Sequence, residues 1–313
     1  MSRQYRMTRL EGLEAAGVEE YRGASTASSY EVPRVLEKSL EILEASPERI
    51  VVVSRGFSVP LMNAIRRLSL SDVPSMAVDF AYFYDNNTGI HDEIIAHRLG
   101  LLVLQSDDAL GKYKGPEECK GAEPPNPDCF VDFYLEKEVG EDEPGTYVKA
   151  SDLTSSDPSV KPVHPDTPLV YLAPGQRIQV VAYARLGRGK EHAKWSPASV
   201  ATLKYSAIVE IQSRGLSEDC ARCLEAYPEL IDAARKGLRE VEIHHEKRVS
   251  GLLYCEETSC SGQIRVRFEP SKLILVVEST GALKAHRIVY EAIRELRRKI
   301  EKLLSTIKEG GAV

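Results

Sequence analysis

The sequence predicts an α+β fold in which the two ends of the chain close one discontinuous domain around inserted material. Three observations carry this expectation: a strand running straight into a helix near residue 50, a second strand and helix near residue 280, and a mixed run of strands, helices and Pro/Gly-rich loops between them. At 313 residues there is room for two or three modules, taking about 100 to 200 residues per domain. With 42% hydrophobic and 28% charged residues, the composition is that of an ordinary globular protein, which sets aside fibrous and wholly disordered classes.

The formal charge of -6 argues against a free-standing nucleic-acid binder, whose affinity comes largely from a basic face that neutralises phosphates. The opening "MSRQYRMTRLEGLEAAGVEE" has no apolar core of a signal peptide, and no stretch approaches the roughly 18 apolar residues of a membrane span. A cytoplasmic protein with no membrane contact is expected.

Residues 1–33 end in the small, polar "RGASTASSYEVP" and read as a loosely attached extension. "RIVVVS" (49–54) is a short buried strand by its β-branched run. A helix follows, with Ser58 as N-cap, Pro60 in the first turn, and Leu61, Ile65 and Leu68 on one face. Asn63, Arg66 and Arg67 fall off that stripe and are available to a partner.

In the middle, "AVDFAYFYDN" (77–86) alternates as a strand. "GIHDEIIAHRLGLLVLQ" reads as a short helix running into an apolar strand. "PLVYLAPGQRIQVVAYARLG" reads as two strands joined by an Ala-Pro-Gly turn. His91 and His97 are six apart, about 240° round a helix, so they diverge and cannot be a zinc-protease pair; a half-buried His97 behind capping acids is the simpler expectation. His244 and His245 stay unassigned. "GRGK" (187–190) lacks the earlier glycine and the Ser or Thr of a phosphate-binding loop, since Ala184 and Glu191 stand there. No nucleophile elbow, Ser–His–Asp ordering or dinucleotide fingerprint occurs, and no catalytic residue is assigned.

A third unit begins near Gly215 and closes with the alternating "QIRVRF" (263–268). Cys220-x2-Cys223 and Cys255-x4-Cys260 have the outline of a two-cluster ferredoxin with members missing, so the unit is expected to be ferredoxin-like. Ala226 and Tyr227 stand where further cysteines would be needed. The four sulfurs fit an iron–sulfur cluster or a tetrahedral zinc, disulfide bridges, or unligated thiols, and spacing does not choose. Cys119 and Cys129 sit in a Pro-rich loop and resemble half of another site.

The C-terminal segment has the clearest period. Val289, Ile293, Leu296, Ile300, Leu303 and Ile307 are separated by steps of four, three, four, three and four, a 3.5-residue repeat on one long helix after the strand "KLILVVE" (272–278). Ala282 and Ala285 extend this seam upstream. A narrow apolar stripe of that length packs on its own domain or on a second chain.

"VPLMNAIRRLSLSDVPSMAVDFAYFYDNNTGIHDEIIAHRLGLLVL", "YARLGRGKEHAKWSPAS" and "LVVESTGAL" closely resemble the archaeal subunit-D family of DNA-directed RNA polymerase, the counterpart of the bacterial alpha N-terminal region and of the eukaryotic third-largest-subunit family. The likeness runs over roughly residues 35–308. It implies a discontinuous alpha-type dimerisation domain (34–72 with 270–313), an inserted mixed α/β domain (73–214) and a small ferredoxin-like insert (215–269), which in many members carries an iron–sulfur cluster. It further implies a non-catalytic assembly subunit that dimerises with the small subunit L through the helices at 58–71 and 281–307, seam residues included. That pair then supports the two large catalytic subunits and a small zinc-binding subunit, and DNA is reached only through the complex. The same resemblance sets Asn63, Arg66 and Arg67, with Arg188, Lys190, His192 and Trp195 in the loop after "IQVVAYARL", beside a large subunit. An iron–sulfur redox or sensing protein, using Cys220, Cys223, Cys255 and Cys260, is the alternative.

Overall fold

The computed structural model describes residues 38–310 except 214 and 244–248; the expected 1–33 extension and the His244–His245 pair lie outside them. Two strands begin the described chain, β1 (Ser39–Ala45) and β2 (Arg49–Arg55), followed by helix α1 (Val59–Ser71). The insert then runs through β3 (Pro74–Asn86), α2 (Asp92–Gly100), α3 (Ala109–Lys112), β4 (Phe130–Glu138), β5 (Thr146–Lys149), β6 (Thr154–Ser155), β7 (Pro168–Leu172) and β8 (Arg177–Arg188). After β9 (Ala198–Ile211) come α4 (Glu218–Cys223), α5 (Pro228–Arg235), β10 (Glu240–Glu242) and α6 (Val249–Glu257), and the chain returns through β11 (Ile264–Ser279) and α7 (Ala285–Gly310).

The two ends do meet. An antiparallel five-stranded sheet has the order β1-β2-β11-β9-β10, so the early strand β2 lies directly against the late strand β11. Alternation along these strands sorts the side chains. Ile50, Val52, Leu273, Leu275 and Val277 face the helix layer, where Met62, Ile65 and Leu68 of α1 and Ala285, Ile288 and Ala292 of α7 cover them. Val51, Val53, Ile274 and Val276 form a separate cluster on the opposite face.

Two long strands cross between parts of the molecule. β9 and β11 pair along nearly their whole length, with a register shift between Glu269 and Leu273. Beyond that shift their far ends carry α4, α5 and α6 on a core of Val209, Cys220, Leu224, Leu230, Leu252, Cys255, Cys260 and Ile264. The segments "QIRVRF" and "KLILVVE", expected as separate strands, are therefore one strand of 16 residues.

The insert has a four-stranded sheet, β3-β8-β4-β6, and a two-stranded ribbon, β5-β7. Its core holds Met76, Ile95, Leu99, Leu104, Phe133, Leu135, Leu169, Ile178 and Val180. β7 and β8 are joined by the expected turn, with Gly175 at φ +74°, yet they enter different sheets. The apolar stretch 101–105 is not a strand. It makes only the bridge Leu104–Pro162 and bonds such as Gln105 N–H to the Lys161 carbonyl, so it is a buried connector with too short a partner for a ladder.

Local details differ in two further places. On α1 the buried face is Met62, Ile65, Leu68 and Ser69, while Leu61 is exposed; the stripe is rotated by one residue from the expected one, and Ser58 makes no side-chain capping bond. His97 is exposed rather than half-buried, because Ile95 and Leu99 are the side chains that α2 turns inward. No described helix is long and apolar enough to cross a membrane.

Leu275 lies under both helices with 1% exposure. Leu275→Ala should lower unfolding stability by roughly 2–5 kcal/mol, through lost transfer energy and the cavity left behind, as a reduced urea midpoint with unchanged slope.

Candidate protein interface

Two surfaces gather the residues that the sequence singled out. The first is α7. Its inward face is short: Ala285, Ile288 and Ala292 are fully buried, and Val289 and Leu296 are half-buried against the helix-layer core. Past that point the helix leaves its own domain, and every described side chain from Arg297 to Glu309 is exposed. Ile293 (44%), Ile300 (49%), Leu303 and Ile307 (60% each) thus present apolar surface with nothing packed on it among the described residues. At the sheet edge, Leu40 and Ile42 of β1 are also exposed, opposite Ser54 and Val52, on the face that the helices cover. β1 has no distinct signal in the sequence, because "SLEILEA" fits a helix period as well as a strand period.

The second surface is the loop after β8, and it is built differently from its sequence. Trp195 is 3% exposed. Its ring lies on Gly187, where an added Cβ would come within 2.3 Å of the indole, so only glycine permits the contact. Arg185 and Lys194 stack over the ring at 4.4 and 4.2 Å, and the indole N–H donates to the Arg185 carbonyl at 3.2 Å. Both cations also donate to Asp79, at 2.7 and 2.8 Å. Burial alone would raise the Asp79 carboxyl, but these bonds outweigh it and hold the pKa below the usual carboxylate range.

Arg188 points inward, with 2% exposure. Its Nε and Nη2 donate to Glu117 at 2.9 and 3.1 Å, Nη2 also reaches Glu295 of α7 at 3.3 Å, and Nη1 donates to the Asp72 carbonyl at the end of α1. Asp72 in turn takes Lys299 of α7 at 2.5 Å and Lys190 at 3.3 Å. Burial pushes Asp72 up, and bonds from Lys299 and Ser71 with the two ammonium charges bring it down to about 2. Gly189 is needed for this approach, since a Cβ there would meet the Leu70 carbonyl at 2.1 Å.

The loop that reads as a basic patch is therefore neutralised from within. Arg185, Arg188, Lys190 and Lys194 are answered by Asp79, Glu117, Asp72 and Glu295, acids that local sequence did not flag because they lie far away along the chain. What faces outward is the run from Lys190 to Ala193, including Glu191 and His192, whose Nδ1 accepts the Lys194 N–H. On α1, Arg66 bonds to Asn63 at 2.8 Å and to the Ala201 carbonyl at 3.3 Å, whereas Arg67 is exposed.

The six cysteines form three disulfides: Cys119–Cys129, Cys220–Cys260 and Cys223–Cys255. A cluster or a zinc site needs free thiolates, and here the four sulfurs of the small unit are bonded in pairs, so this arrangement does not fit a resident metal.

A lowered carboxyl pKa stabilises the fold above the unfolded value of about 3.9, and that contribution is lost as pH falls towards the folded value. For Asp72 the window lies between about pH 4 and 2. Urea midpoints of wild type and Asp72→Asn should differ most near neutral pH and converge across that window; a gap that stays constant would remove Asp72 from the network.

These surfaces can be set beside known proteins. The family model described as RNA polymerase Rpb3/RpoA insert domain matches residues 81–207. The chain is 50% identical over 277 residues to DNA-directed RNA polymerase subunit Rpo3 of Aeropyrum pernix, covering 88% of this chain and 97% of that protein. It is 34% identical to the Rpo3 of Methanothermobacter thermautotrophicus, over 87% of this chain and 99% of the relative. To DNA-directed RNA polymerase II subunit rpb3 of Dictyostelium discoideum it is 31% identical, over 88% and 96%. With alignments that span nearly the whole of each relative, the chain belongs to the Rpo3/Rpb3 family of DNA-directed RNA polymerase subunits.

Proposed function

We propose that this chain is a non-catalytic assembly subunit of a cytoplasmic RNA polymerase, the archaeal subunit-D type, acting in transcription without chemistry of its own. The observation that carries the reading is the exposed seam of α7: a helix anchored in a packed domain whose apolar stripe runs on past that domain. Residues 297–309 project about 20 Å at 1.5 Å per residue, and in water such a stripe calls for a partner helix. The partner is a small L-type subunit, met by Val289, Ile293, Leu296, Ile300, Leu303 and Ile307 together with Leu40 and Ile42.

The resulting pair offers a platform to the two large catalytic subunits and a small zinc-binding subunit. At the large-subunit contact, Arg67, His192 and the outer part of Lys190 touch the partner, and Asn63 and Arg66 brace α1. Arg188 and Trp195 serve that contact from inside by fixing the loop. We read the chain as a discontinuous dimerisation domain (34–72 with 270–313), an insert (73–214) and a cysteine-bearing unit (215–269), with the long strands β9 and β11 running across those bounds, and DNA is met only through the complex. The cysteines act as structural cross-links; closing loops of 40 and 32 residues stabilises by about 3–4.5 kcal/mol each in the chain-entropy account. The iron–sulfur redox or sensing alternative finds no support.

Co-expression with an L-type subunit should give a stable 1:1 complex on size exclusion. Ile293→Asp with Ile300→Asp should abolish it, since each charge buried in a seam costs several kcal/mol; persistent association would take the seam out of the interface. Protein denatured without reductant should show no free thiol. Four or more thiols with stoichiometric zinc or iron would contradict the cross-link reading.

A further inference from the structure

The outward face of the four-stranded insert sheet has a composition that a solvated sheet face does not require. Where one side of an antiparallel sheet is covered, polar residues ordinarily occupy the other. β3, β8 and β4 obey the inward half of that rule, with Phe133, Leu135, Ile178 and Val180 in the insert core. Outward they carry six rings: Phe80, Tyr82 and Tyr84 on β3, Tyr183 on β8, and Phe130 and Tyr134 on β4.

Strand register brings these rings together. Phe80 stands opposite Tyr183, and Tyr82 and Tyr134 flank Val181 from its two sides. Phe80–Phe130, Phe130–Tyr183 and Tyr82–Tyr183 meet edge to face at 5.7, 6.4 and 5.7 Å. Tyr84 falls within the register shift between Phe83 and Asp85, and such bulges re-aim a side chain.

One end of this platform is already occupied by the chain itself. The loop closed by Cys119–Cys129 packs both cysteines and Ala122 against Phe80, Phe130 and Tyr183, and Phe130 is buried. The cover stops there, and Tyr82, Tyr84 and Tyr134 remain 47%, 69% and 49% exposed. The aromatic surface thus continues beyond the segment that shields it.

Charge says what fits on the open part. Among the outward positions, Arg185 is committed to Asp79 and Trp195, and Asp85 is paired with Arg177. Asp132 and Glu136 make no ion pair among the described residues, and Asp132 accepts the Tyr134 hydroxyl at 3.2 Å. Open tyrosine faces beside unpaired carboxylates attract a cation and repel a phosphate backbone.

We infer that this face binds an extended, arginine-bearing segment of a partner polypeptide, its guanidinium groups lying over Tyr82, Tyr84 and Tyr134 and against Asp132 and Glu136. This surface is separate from the α7 seam, and its test does not depend on the small subunit.

Fluorescence anisotropy on the full chain, with labelled Gly-Arg-Gly-Arg-Gly-Arg-Gly, its glutamate counterpart and a single-stranded oligonucleotide as probes, decides the matter. The arginine peptide should bind and the other two should not. Tyr84→Ala with Tyr134→Ala should weaken it at least tenfold at unchanged net charge, and Asp132→Asn with Glu136→Gln should weaken it as well. Should the double tyrosine variant lose its folded circular dichroism, Tyr84→Ala alone, at the most exposed ring, gives the same reading. Failure of the arginine peptide to bind, equal affinity in the tyrosine variants, or tyrosine-dependent oligonucleotide binding each overturns the inference.

Discussion

A guanidinium shut away from water must be answered where it sits, because an unpaired buried charge costs several kcal/mol. Arg188, on β8, is such a group, and its partners come from three separate stretches: the end of α1 at Asp72, the segment just ahead of the Cys119–Cys129 loop at Glu117, and α7 at Glu295. Around it, Lys299 reaches Asp72 and Arg298 reaches both Glu117 and Glu295. This network joins the insert to the helix layer. It also ends near residue 299, so α7 is held by apolar packing from Ala285 to Leu296 and by charge at Glu295, Arg298 and Lys299, and is released beyond them. The apolar seam projects because its base is held.

The same network explains why the loop after β8 looks like something else in sequence. The stretch "LGRGKEHAKW" shows cations, one tryptophan and one acid, Glu191, which meets Arg185 locally, but the other acids lie 106 to 118 positions away at Asp79, Asp72 and Glu295, or 71 away at Glu117. Charge was legible and pairing was not. The glycines at 187 and 189 were equally opaque, since their necessity comes from Trp195 and the Leu70 carbonyl pressing on them.

Elsewhere the period of the sequence sufficed. β3, β8 and α7 announce themselves by alternation or a 3.5-residue repeat and β2 by its β-branched run, while β11 reads as two strands that the fold joins into one, and the meeting of the chain ends follows from having a strand and helix at each. Stretches whose apolar residues fit more than one period do not yield: β1 carries no clear strand signal, and residues 101–105 read as a strand although their neighbours cannot complete a ladder. Four cysteines permit three pairings, and only the fold brings Cys220 to Cys260 and Cys223 to Cys255. The aromatic face stayed hidden for a related reason. Its strand was plain, but bulges in β3 decide which rings point outward.

Family membership and geometry now bear on the same helix. In this chain of the Rpo3/Rpb3 family, α7 is embedded over its first half and bare over its second, and the proposed partner is the group that would complete it by covering the bare half. Amide hydrogen exchange over residues 297–309, in the chain alone and in a 1:1 mixture with an L-type subunit, reads that completion directly. The account predicts fast exchange alone and slowing by tenfold or more in the mixture, confined to α7 and β1. Unchanged exchange over α7 in a complex that forms would contradict it.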